Sequence, residues 1–221
     1  MRNIKIPGLR NTYSINTVFC IGRNYAEHAQ ELGNEIPELP VVFTKPINAV
    51  TFDGGEVLIP RDLTEDVHHE VEMVIAIGKF GFQIPVEHAH EYVAGYGVGI
   101  DVTARDVQSA LKSQRHPWTL AKGMDTFAPI GNFVSPEQVE DPHNLNISLS
   151  VNGEKRQNGR TGDMIFKVPA LVSYISRYAS IYPGDLIFTG TPAGVSELKH
   201  GDEVEADLGG FSSLSVIVRD R

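Results

Sequence analysis

The stretch that decides the fold reads VHHEVEMVIAIG and spans residues 67–78. Its alternation predicts a β-strand, because side chains repeat on one face of a strand every two residues. Glu70 and Glu72 therefore point the same way, with their Cα atoms roughly 6–7 Å apart. Apolar residues follow on both faces, which indicates that this strand enters a buried sheet.

Two glutamates side by side at the start of a buried strand need an explanation. Burying two like charges without compensation costs several kcal/mol or more, on the order of the penalty for an unpaired ion. Three arrangements would resolve the conflict. The strand end is exposed to water, the two carboxyls share a proton, or a cation lies between them.

Composition limits the class of protein. The chain has 221 residues, which suits one large domain or one domain with a small appendage, and 41% of them are hydrophobic. The formal net charge of −9 argues against non-specific binding to nucleic acid or to an anionic membrane. No apolar run approaches the roughly 20 residues of a membrane span, and the N-terminus lacks the apolar core of a signal peptide.

The single cysteine, Cys20, cannot form an internal disulfide and falls inside an apolar run. It is interpreted as a small buried hydrophobic residue rather than a catalytic thiol. A reducing, cytoplasmic location is expected from this cysteine usage.

The first 40 residues are expected to begin with an irregular lead-in over residues 1–16, followed by a short buried strand near residues 18–21. Residues 25–32 predict a short helix that ends near Gly33. His28 and Glu31 are three apart on it and so share a face. With the polar loop that follows, residues 24–40 are interpreted as a flap over a site.

The rest of the chain predicts many short strands and few helices. A glycine-rich strand over residues 94–103 places Asp101 between apolar neighbours, and a helix starting at Thr103 or Ala104 follows it through Gln114. Residues 121–129 are expected to form a loop and residues 132–144 an irregular connection. Other predicted elements are a helix over 85–93, a hairpin over 145–157, a helix over 168–180, a strand over 186–190 and a hairpin over 202–218. The fold class is β-rich α+β.

Glu70, Glu72 and Asp101 are three acidic residues in apolar strands, where lone carboxylates are disfavoured. With no cysteine or clustered histidine pair beside them, they would form an oxygen-rich site. Mg²⁺, Mn²⁺ and Ca²⁺ prefer such ligands. Three protein ligands would leave coordination positions open for water or substrate.

The sequence resembles the fumarylacetoacetate hydrolase family, and most closely its small, single-domain acylpyruvate hydrolase branch. Six segments carry the resemblance, in the family's order and over nearly the whole chain. They are IGRNY (21–25), FTKP (43–46), HHEVE (68–72), DVTARDVQ (101–108), KGMDTF (122–127) and TGTPAGV (189–195). Larger family members have a fourth acidic ligand upstream, which has no counterpart placed here.

The resemblance implies a single catalytic domain over residues 1–221, with the family's mixed β-roll and a homodimeric assembly. By the same resemblance, Glu70, Glu72 and Asp101 hold Mg²⁺ or Mn²⁺, with Ca²⁺ as a substitute. The implied catalytic residues are His28, Glu31 and Lys122. The implied substrate-binding residues are Arg23, Tyr25, Lys45, Arg105, Gln108 and Thr191.

The implied activity is hydrolysis of a C–C bond in acylpyruvates or related 2,4-diketo acids, with pyruvate leaving as an enolate stabilised by the cation. His28, oriented by Glu31, would activate water, and Lys122 would stabilise the oxyanion. Decarboxylation or keto–enol tautomerisation of oxaloacetate uses the same small-molecule α-keto acid site and stays open as an alternative. A non-catalytic β-domain with a structural cation is the remaining one.

Overall fold

Most described strands belong to two large sheets. The computed structural model describes residues 2–6 and 12–221. The seven-stranded sheet contains, in spatial order, β4 (Val41–Lys45), β3 (Val18–Gly22), β14 (Leu186–Phe188), β8 (Val71–Ile77), β9 (Val93–Ile100), β11 (Ala128–Val134) and β5 (Val50–Phe52). The five-stranded sheet contains β13 (Glu154–Arg160), β12 (Asn146–Val151), β16 (Glu203–Leu208), β17 (Ser212–Asp220) and β6 (Glu56–Ile59).

Two small sheets and a few short helices complete the described part of the chain. The small sheets are β10 (Thr103–Ala104) with β7 (Val67–His69) and β15 (Ser196–Glu197), and β1 (Asn3–Lys5) with β2 (Thr12–Ser14). The α-helices are α1 (Ala26–Glu31), α2 (Arg105–Ser113), α3 (Thr119–Lys122) and α4 (Val168–Tyr178). Short 3₁₀ helices cover Ile47–Ala49, Val86–Tyr92, Pro136–Gln138 and Thr161–Asp163. Among these helices, none is long and apolar enough to cross a bilayer.

The seven-stranded sheet is mixed. Strands β3 and β14 run parallel, as do β5 and β11, whereas β8 pairs antiparallel with both of its neighbours. The prediction of a β-rich, mixed α+β fold with few short helices is confirmed.

Strand β8 lies in the centre of the seven-stranded sheet and is buried on both faces. Val71, Met73, Ile75 and Ile77 pack into the larger apolar core, which also receives inward-facing residues of β12, β16 and β17. Val74 and Ala76 pack into a second core on the opposite face, against residues such as Ile4 and Ile130. The alternation in residues 71–77 therefore sorts side chains between two cores, as expected for a strand inside a sheet.

The predicted central strand is interrupted at Glu70. Strand β7 pairs with β10 and β15, whereas β8 pairs with β9 and β14. The partner strand breaks at the same level, since β9 ends at Ile100 and β10 begins at Thr103. Asp101 donates its backbone N–H to the carbonyl oxygen of Glu70 at 2.8 Å, which joins the two interruptions.

Three predictions about irregular segments were wrong. Residues 1–16 contain the antiparallel pair β1–β2, although the lead-in's Met1 and residues 7–11 lie outside the described part. Residues 121–129 include the end of α3, and β11 extends into residues 132–144. Pro129 and Gly131 hide β11 in the sequence. A Cβ on Gly131 would lie 2.1 Å from the backbone oxygen of Ser213, so glycine is needed for this close approach.

The predicted helices correspond to observed ones with modest differences. The helix expected over residues 25–32 is α1, and the one expected from Thr103 or Ala104 through Gln114 is α2. The segment predicted as a helix over 85–93 is a 3₁₀ helix, Val86–Tyr92, entered from Pro85. The helix expected over 168–180 ends earlier, at Tyr178.

Candidate active site

Three carboxylates converge at the paired strand breaks. Glu70, Glu72 and Asp101 each place one oxygen within 4.8 Å of the others. All three side chains are buried, with residue exposures of 5%, 1% and 1%. The predicted cluster is thus assembled by the geometry of the β7–β8 and β9–β10 corners.

Cationic side chains compensate two of these carboxylates. Lys122, at the end of α3, places its Nζ 2.8 Å from Oε2 of Glu70 and 2.6 Å from Oδ2 of Asp101. Arg105, the first residue of α2, pairs with Oε1 of Glu70. Glu72 differs, because its Oε2 accepts the backbone N–H of Gly190 at 2.7 Å and no Lys or Arg of the described residues forms an ion pair with it.

These surroundings shift the pKa values of Glu70 and Glu72 in opposite directions. Burial alone would raise the pKa of Glu70, but Lys122 and Arg105 hold that pKa well below its ordinary range. Burial, together with the nearby charges of Asp101 and Glu70, raises the pKa of Glu72 well above its ordinary value. Asp101 and Glu70 raise the pKa of Lys122 despite burial, so this lysine stays charged at neutral pH.

This residue set fits a divalent cation. Carboxylate oxygens suit Mg²⁺, Mn²⁺ and Ca²⁺, and the pairwise closeness of the three groups lets one ion contact all of them. A cation would also favour the ionised form of Glu72, which lacks an ion-pair partner among the described residues.

Lys45 forms a buried ion pair with Asp101 of the cluster. Its Nζ lies 2.6 Å from Oδ1 of Asp101. It also donates to the backbone oxygens of Val102 at 3.0 Å, Phe127 at 2.8 Å and Lys122. The Lys45 side chain is fully buried and does not line the pocket. Its surroundings fit a role in holding Asp101, and its predicted contact with substrate stays a prediction.

Helix α1 brings His28 and Glu31 to the same region. Nδ1 of His28 lies 3.1 Å from Oε2 of Glu31, and His28 is buried within the pocket wall. The other carboxylate oxygen of Glu31 accepts the backbone N–H of Gly194 at 3.0 Å. Their pairing on one helix face agrees with the spacing argument, and the contact to Gly194 ties α1 to the loop after β14.

The three carboxylates line one small, partly open pocket. Nine of the twelve predicted site residues line this pocket. They are Arg23, His28, Glu70, Glu72, Asp101, Arg105, Gln108, Lys122 and Thr191. Glu31 and Lys45 do not line it. Tyr25 is buried at the start of α1, and its hydroxyl has no hydrogen-bond partner among the described residues.

One face of α2 supplies much of the pocket's positive charge. Arg105 donates to Oε1 of Gln108 at 2.7 Å, as their spacing suggests. Lys112 follows one turn later and also lines the pocket, although the sequence analysis missed it. Its position, four residues after Gln108, is the signal that could have identified it.

Arg23 lies at the pocket in a left-handed conformation, with φ at 59°. This conformation is unfavourable for a residue other than glycine and is found where the surroundings impose it. No carboxylate among the described residues pairs with Arg23 or Lys112. The side chain of Lys112 makes one hydrogen bond, to Oδ1 of Asn34 at 3.3 Å.

Thr191 belongs to the loop after β14. The buried amide of Asn24 holds this loop by donating to the Thr189 oxygen at 2.7 Å. Gly190 adopts φ 97°, and a Cβ there would lie 2.6 Å from the Cβ of Asn24. The hydroxyl of Thr191 itself accepts a hydrogen bond from the buried Gln157, at 2.8 Å. Asn24 and Gln157 were not predicted as site residues.

Comparisons with known proteins agree with this architecture. The fumarylacetoacetate (FAA) hydrolase C-terminal family matches residues 17–219. A solved structure of fumarylpyruvate hydrolase from Pseudomonas aeruginosa, in complex with Mn²⁺ and pyruvate, aligns with a TM-score of 0.94 and 40% identity, covering 100% of this chain and 96% of that one. The fold predicted from the resemblance is thereby confirmed.

Two curated relatives carry oxaloacetate activities in their names. Oxaloacetate tautomerase FAHD1, mitochondrial, from Arabidopsis thaliana is 47% identical over 204 residues, which is 92% of this chain and 91% of the relative. Oxaloacetate decarboxylase, mitochondrial, from Dictyostelium discoideum is 43% identical over 208 residues, or 92% and 95% of the two chains. The chain is therefore an enzyme of the fumarylacetoacetate hydrolase family.

Proposed function

We propose that this protein cleaves a C–C bond in an acylpyruvate or related 2,4-diketo acid, with a divalent cation held by Glu70, Glu72 and Asp101. The observation that carries the proposal is the convergence of these buried carboxylates with the His28–Glu31 pair at one small pocket. When bound, the cation would polarise the 2-oxo group and stabilise negative charge on its oxygen. Mg²⁺ and Mn²⁺ are the candidate ions, and the Pseudomonas relative was solved with Mn²⁺.

The general base is His28. It accepts a proton from water, and the carboxylate of Glu31 at 3.1 Å stabilises the imidazolium that forms. Water adds to the distal carbonyl carbon, and the bond between that carbon and C3 breaks. The bond electrons remain on the pyruvate fragment as an enolate, and protonation at C3 completes pyruvate and the free acid.

Lys122 acts as an electrostatic group. Two of its three protons are directed to Glu70 and Asp101, which leaves one for an oxygen of the ligand. Its raised pKa keeps the ammonium charged, so it stabilises the developing oxyanion and does not serve as a base. Arg105 lies at the same wall, where its planar guanidinium suits a substrate carboxylate.

A second candidate, oxaloacetate decarboxylation or tautomerisation, is favoured by Arg23 and Lys112. Both cations line the pocket without a carboxylate partner among the described residues. A ligand with a second carboxylate would neutralise them. Acetylpyruvate lacks a second carboxylate, whereas an acylpyruvate with an acidic acyl group, such as fumarylpyruvate, has one, and so does oxaloacetate. The names of the Arabidopsis and Dictyostelium relatives point to the same substrate.

The deciding experiment measures turnover of acetylpyruvate and oxaloacetate side by side with Mg²⁺ and Mn²⁺, for the wild type and Glu31→Ala. Loss of diketone absorbance with release of pyruvate, dependent on metal and on Glu31, supports the hydrolase. Pyruvate and CO₂ from oxaloacetate alone support the decarboxylase, and enol–keto conversion without pyruvate supports the tautomerase. If neither substrate reacts with either metal, the proposal is wrong.

The wider biology follows from the resemblance. We propose on that basis that residues 1–221 form one catalytic unit and that residues 24–40 form a flap. We also propose a homodimer. The cytoplasmic location stays a prediction from cysteine usage, and the names of the Arabidopsis and Dictyostelium relatives specify mitochondria.

A further inference from the structure

Gln157 is the polar residue that joins the five-stranded sheet to the site. It is completely buried on β13, and its side-chain amide uses every hydrogen-bonding position it has. Oε1 accepts from the backbone N–H of Val71 at 3.0 Å and from Nδ1 of His69 at 2.8 Å. Nε2 donates to Oγ1 of Thr191 and to the oxygen of Pro192, both at 2.8 Å.

The orientation of this amide is set by partners that can play only one role. The backbone N–H of Val71 can only donate, so the atom facing it must be the Gln157 oxygen. The Pro192 carbonyl can only accept, so the atom facing it must be the Gln157 nitrogen. If the amide were reversed, its N–H donor would face the N–H donor of Val71. Its oxygen acceptor would then face the carbonyl acceptor of Pro192.

The orientation of Gln157 determines what Thr191 can offer to a ligand. The hydroxyl oxygen of Thr191 accepts from Gln157, and its own proton needs an acceptor. The hydroxyl donates to the Pro192 oxygen over 3.4 Å, a long hydrogen bond, and that oxygen also accepts from Gln157 at 2.8 Å. Because Thr191 lines the pocket, a ligand oxygen at an ordinary hydrogen-bond distance would be a better acceptor for this proton.

His69 continues this series of hydrogen bonds on the side of Gln157 away from the pocket, and it donates toward the pocket. Because Oε1 of Gln157 only accepts, Nδ1 of His69 carries the proton between them. Nε2 of His69 lies 2.8 Å from the hydroxyl of Ser196, on the paired strand β15. Ser196, His69, Gln157 and Thr191 therefore form one chain of side-chain hydrogen bonds that ends at the pocket.

The loop that carries Thr191 rests directly on β13. A Cβ on Gly194 would lie 2.3 Å from the backbone oxygen of Arg156, and a Cβ on Gly159 would lie 2.7 Å from the Pro192 side chain. This contact leaves little room for the Thr191 loop to move away from Gln157. The hydrogen bond between them is thus supported by packing on both sides of Gln157.

We propose that Gln157 is a positioning residue that commits Thr191 to donate its hydroxyl proton to the ligand. The Thr191 subsite then takes an oxygen acceptor, a carboxylate or carbonyl oxygen, and disfavours a group that presents N–H or O–H. The inference rests on the proposed function in one respect, that the ligand is a 2-keto acid. It adds a residue outside the pocket to the determinants of that specificity.

The test is a double-mutant cycle on the affinity of the Mn²⁺-loaded protein for pyruvate. The variants are Thr191→Val, Gln157→Met and their combination, with the exposed Gln114→Met as a matched control. Thr191→Val and Gln157→Met are each expected to weaken pyruvate binding about tenfold, the scale of one hydrogen bond to a charged group. In the Thr191→Val background, Gln157→Met should change the affinity by less than about twofold.

The affinity for Mn²⁺ alone, measured for every variant, separates positioning from a general structural role. If Gln157 only joins β13 to β8, its replacement will weaken pyruvate binding by the same factor in both backgrounds, and the inference is overturned. If the wild type with Mn²⁺ does not bind pyruvate, the proposed function fails, and this inference fails with it. Binding by the wild type with multiplicative effects in the cycle rejects the Gln157 inference alone.

Should Gln157→Met not fold, the wild-type protein still decides. In a crystal structure with Mn²⁺ and pyruvate, Oγ1 of Thr191 is expected within about 3 Å of a ligand oxygen while it keeps its contact with Gln157. Thr191→Ser, which keeps the hydroxyl, should retain most of the affinity. A Thr191 methyl group facing the ligand, or a loss in Thr191→Ser equal to that in Thr191→Val, would overturn the inference.

Discussion

The backbone N–H of Asp101 donates to the carbonyl oxygen of Glu70 at 2.8 Å, at the point where both strands leave the seven-stranded sheet. Below this bond, Val71 pairs with Ile100, and above it His68 pairs with Thr103 in a different sheet. The two carboxylates are thus fixed by one corner of backbone, and site geometry depends on sheet geometry.

Replacing Glu72 with glutamine should weaken the site's affinity for metal while keeping its shape. The glutamine oxygen can still accept the N–H of Gly190, but it lacks the negative charge that a hard cation prefers. We expect Mn²⁺ binding, measured by isothermal titration calorimetry, to weaken about 100-fold or more. This loss is larger than is usual for replacing a residue that only hydrogen-bonds to a metal ligand. Glu137→Gln, at an exposed position, is the control, and equal affinity in both variants would contradict the assignment.

Replacing Glu31 with glutamine isolates the electrostatic role of the pair with His28. The amide oxygen can keep the contact with Gly194, whereas the stabilisation of a charged imidazole is lost. We expect kcat to fall about 10²–10⁴-fold with unchanged Mn²⁺ affinity. Glu27→Gln on the same helix should behave as the wild type. A normal rate in Glu31→Gln would show that the charge of Glu31 does not stabilise a protonated His28 during the reaction.

Arg23→Met and Lys112→Met should discriminate between substrates. If these cations hold a second carboxylate, each change should lower kcat/KM for oxaloacetate about tenfold and for acetylpyruvate by no more than about twofold. Steady-state kinetics on both substrates gives the comparison, with the exposed Lys155→Met as control. Equal losses on both substrates would show that Arg23 and Lys112 do not recognise a second carboxylate.

Lys45→Met should act on stability. The change leaves three backbone oxygens and Asp101 without their buried cation, and breaking a buried pair in this way costs about 3–5 kcal/mol. Urea unfolding should detect this loss, whereas Lys155→Met at an exposed position should stay within about 0.5 kcal/mol of the wild type. A stable Lys45→Met protein with a raised KM would instead support direct contact between Lys45 and substrate.

The lowered pKa of Asp106 predicts that the stability of the folded protein depends on pH in the acidic range. Burial would raise the pKa of Asp106, but hydrogen bonds from Thr64 at 2.6 Å and from the backbone of Glu65 at 3.0 Å lower it overall. A lowered pKa in the folded state adds stability above the ordinary value of about 3.9, and this contribution is lost as the pH falls through the folded pKa. In urea unfolding, the stability advantage of the wild type over Asp106→Asn should therefore shrink as the pH falls below about 3.9, with Asp62→Asn as control. A constant difference between pH 7 and pH 3 would contradict this.

The parts of the fold that follow a simple period were predictable from the sequence. Residues 71–77 alternate cleanly and form β8, and the three-residue spacing of His28 and Glu31 gives a real contact. Strand β11 was missed because Pro129 and Gly131 mimic a loop, although the approach of Ser213 requires the glycine. Such a requirement arises from a distant segment and leaves no local pattern.

The candidate site shows the same limit. Acidic residues in apolar strands are conspicuous, so Glu70, Glu72 and Asp101 could be selected before their closeness was known. Gln157 could not be, because it lies in β13 among exposed polar neighbours and only its contacts with Val71 and Thr191 distinguish it. A charged residue can be selected from the sequence when its neighbours along the strand are apolar. Gln157 cannot, because the residues that give it a role belong to other parts of the fold.

Cys20 gives the molecule an internal reporter of its own opening. It is the single cysteine of the chain, and it is completely buried on β3, between β4 and β14. A thiol reagent can reach its sulfur only when the second core, in which Cys20 packs, opens. The rate of labelling would therefore measure how often this core opens, with no engineered cysteine. Comparing that rate with and without Mn²⁺ would show whether an ion bound at the β8–β9 corner stabilises the packing around β3.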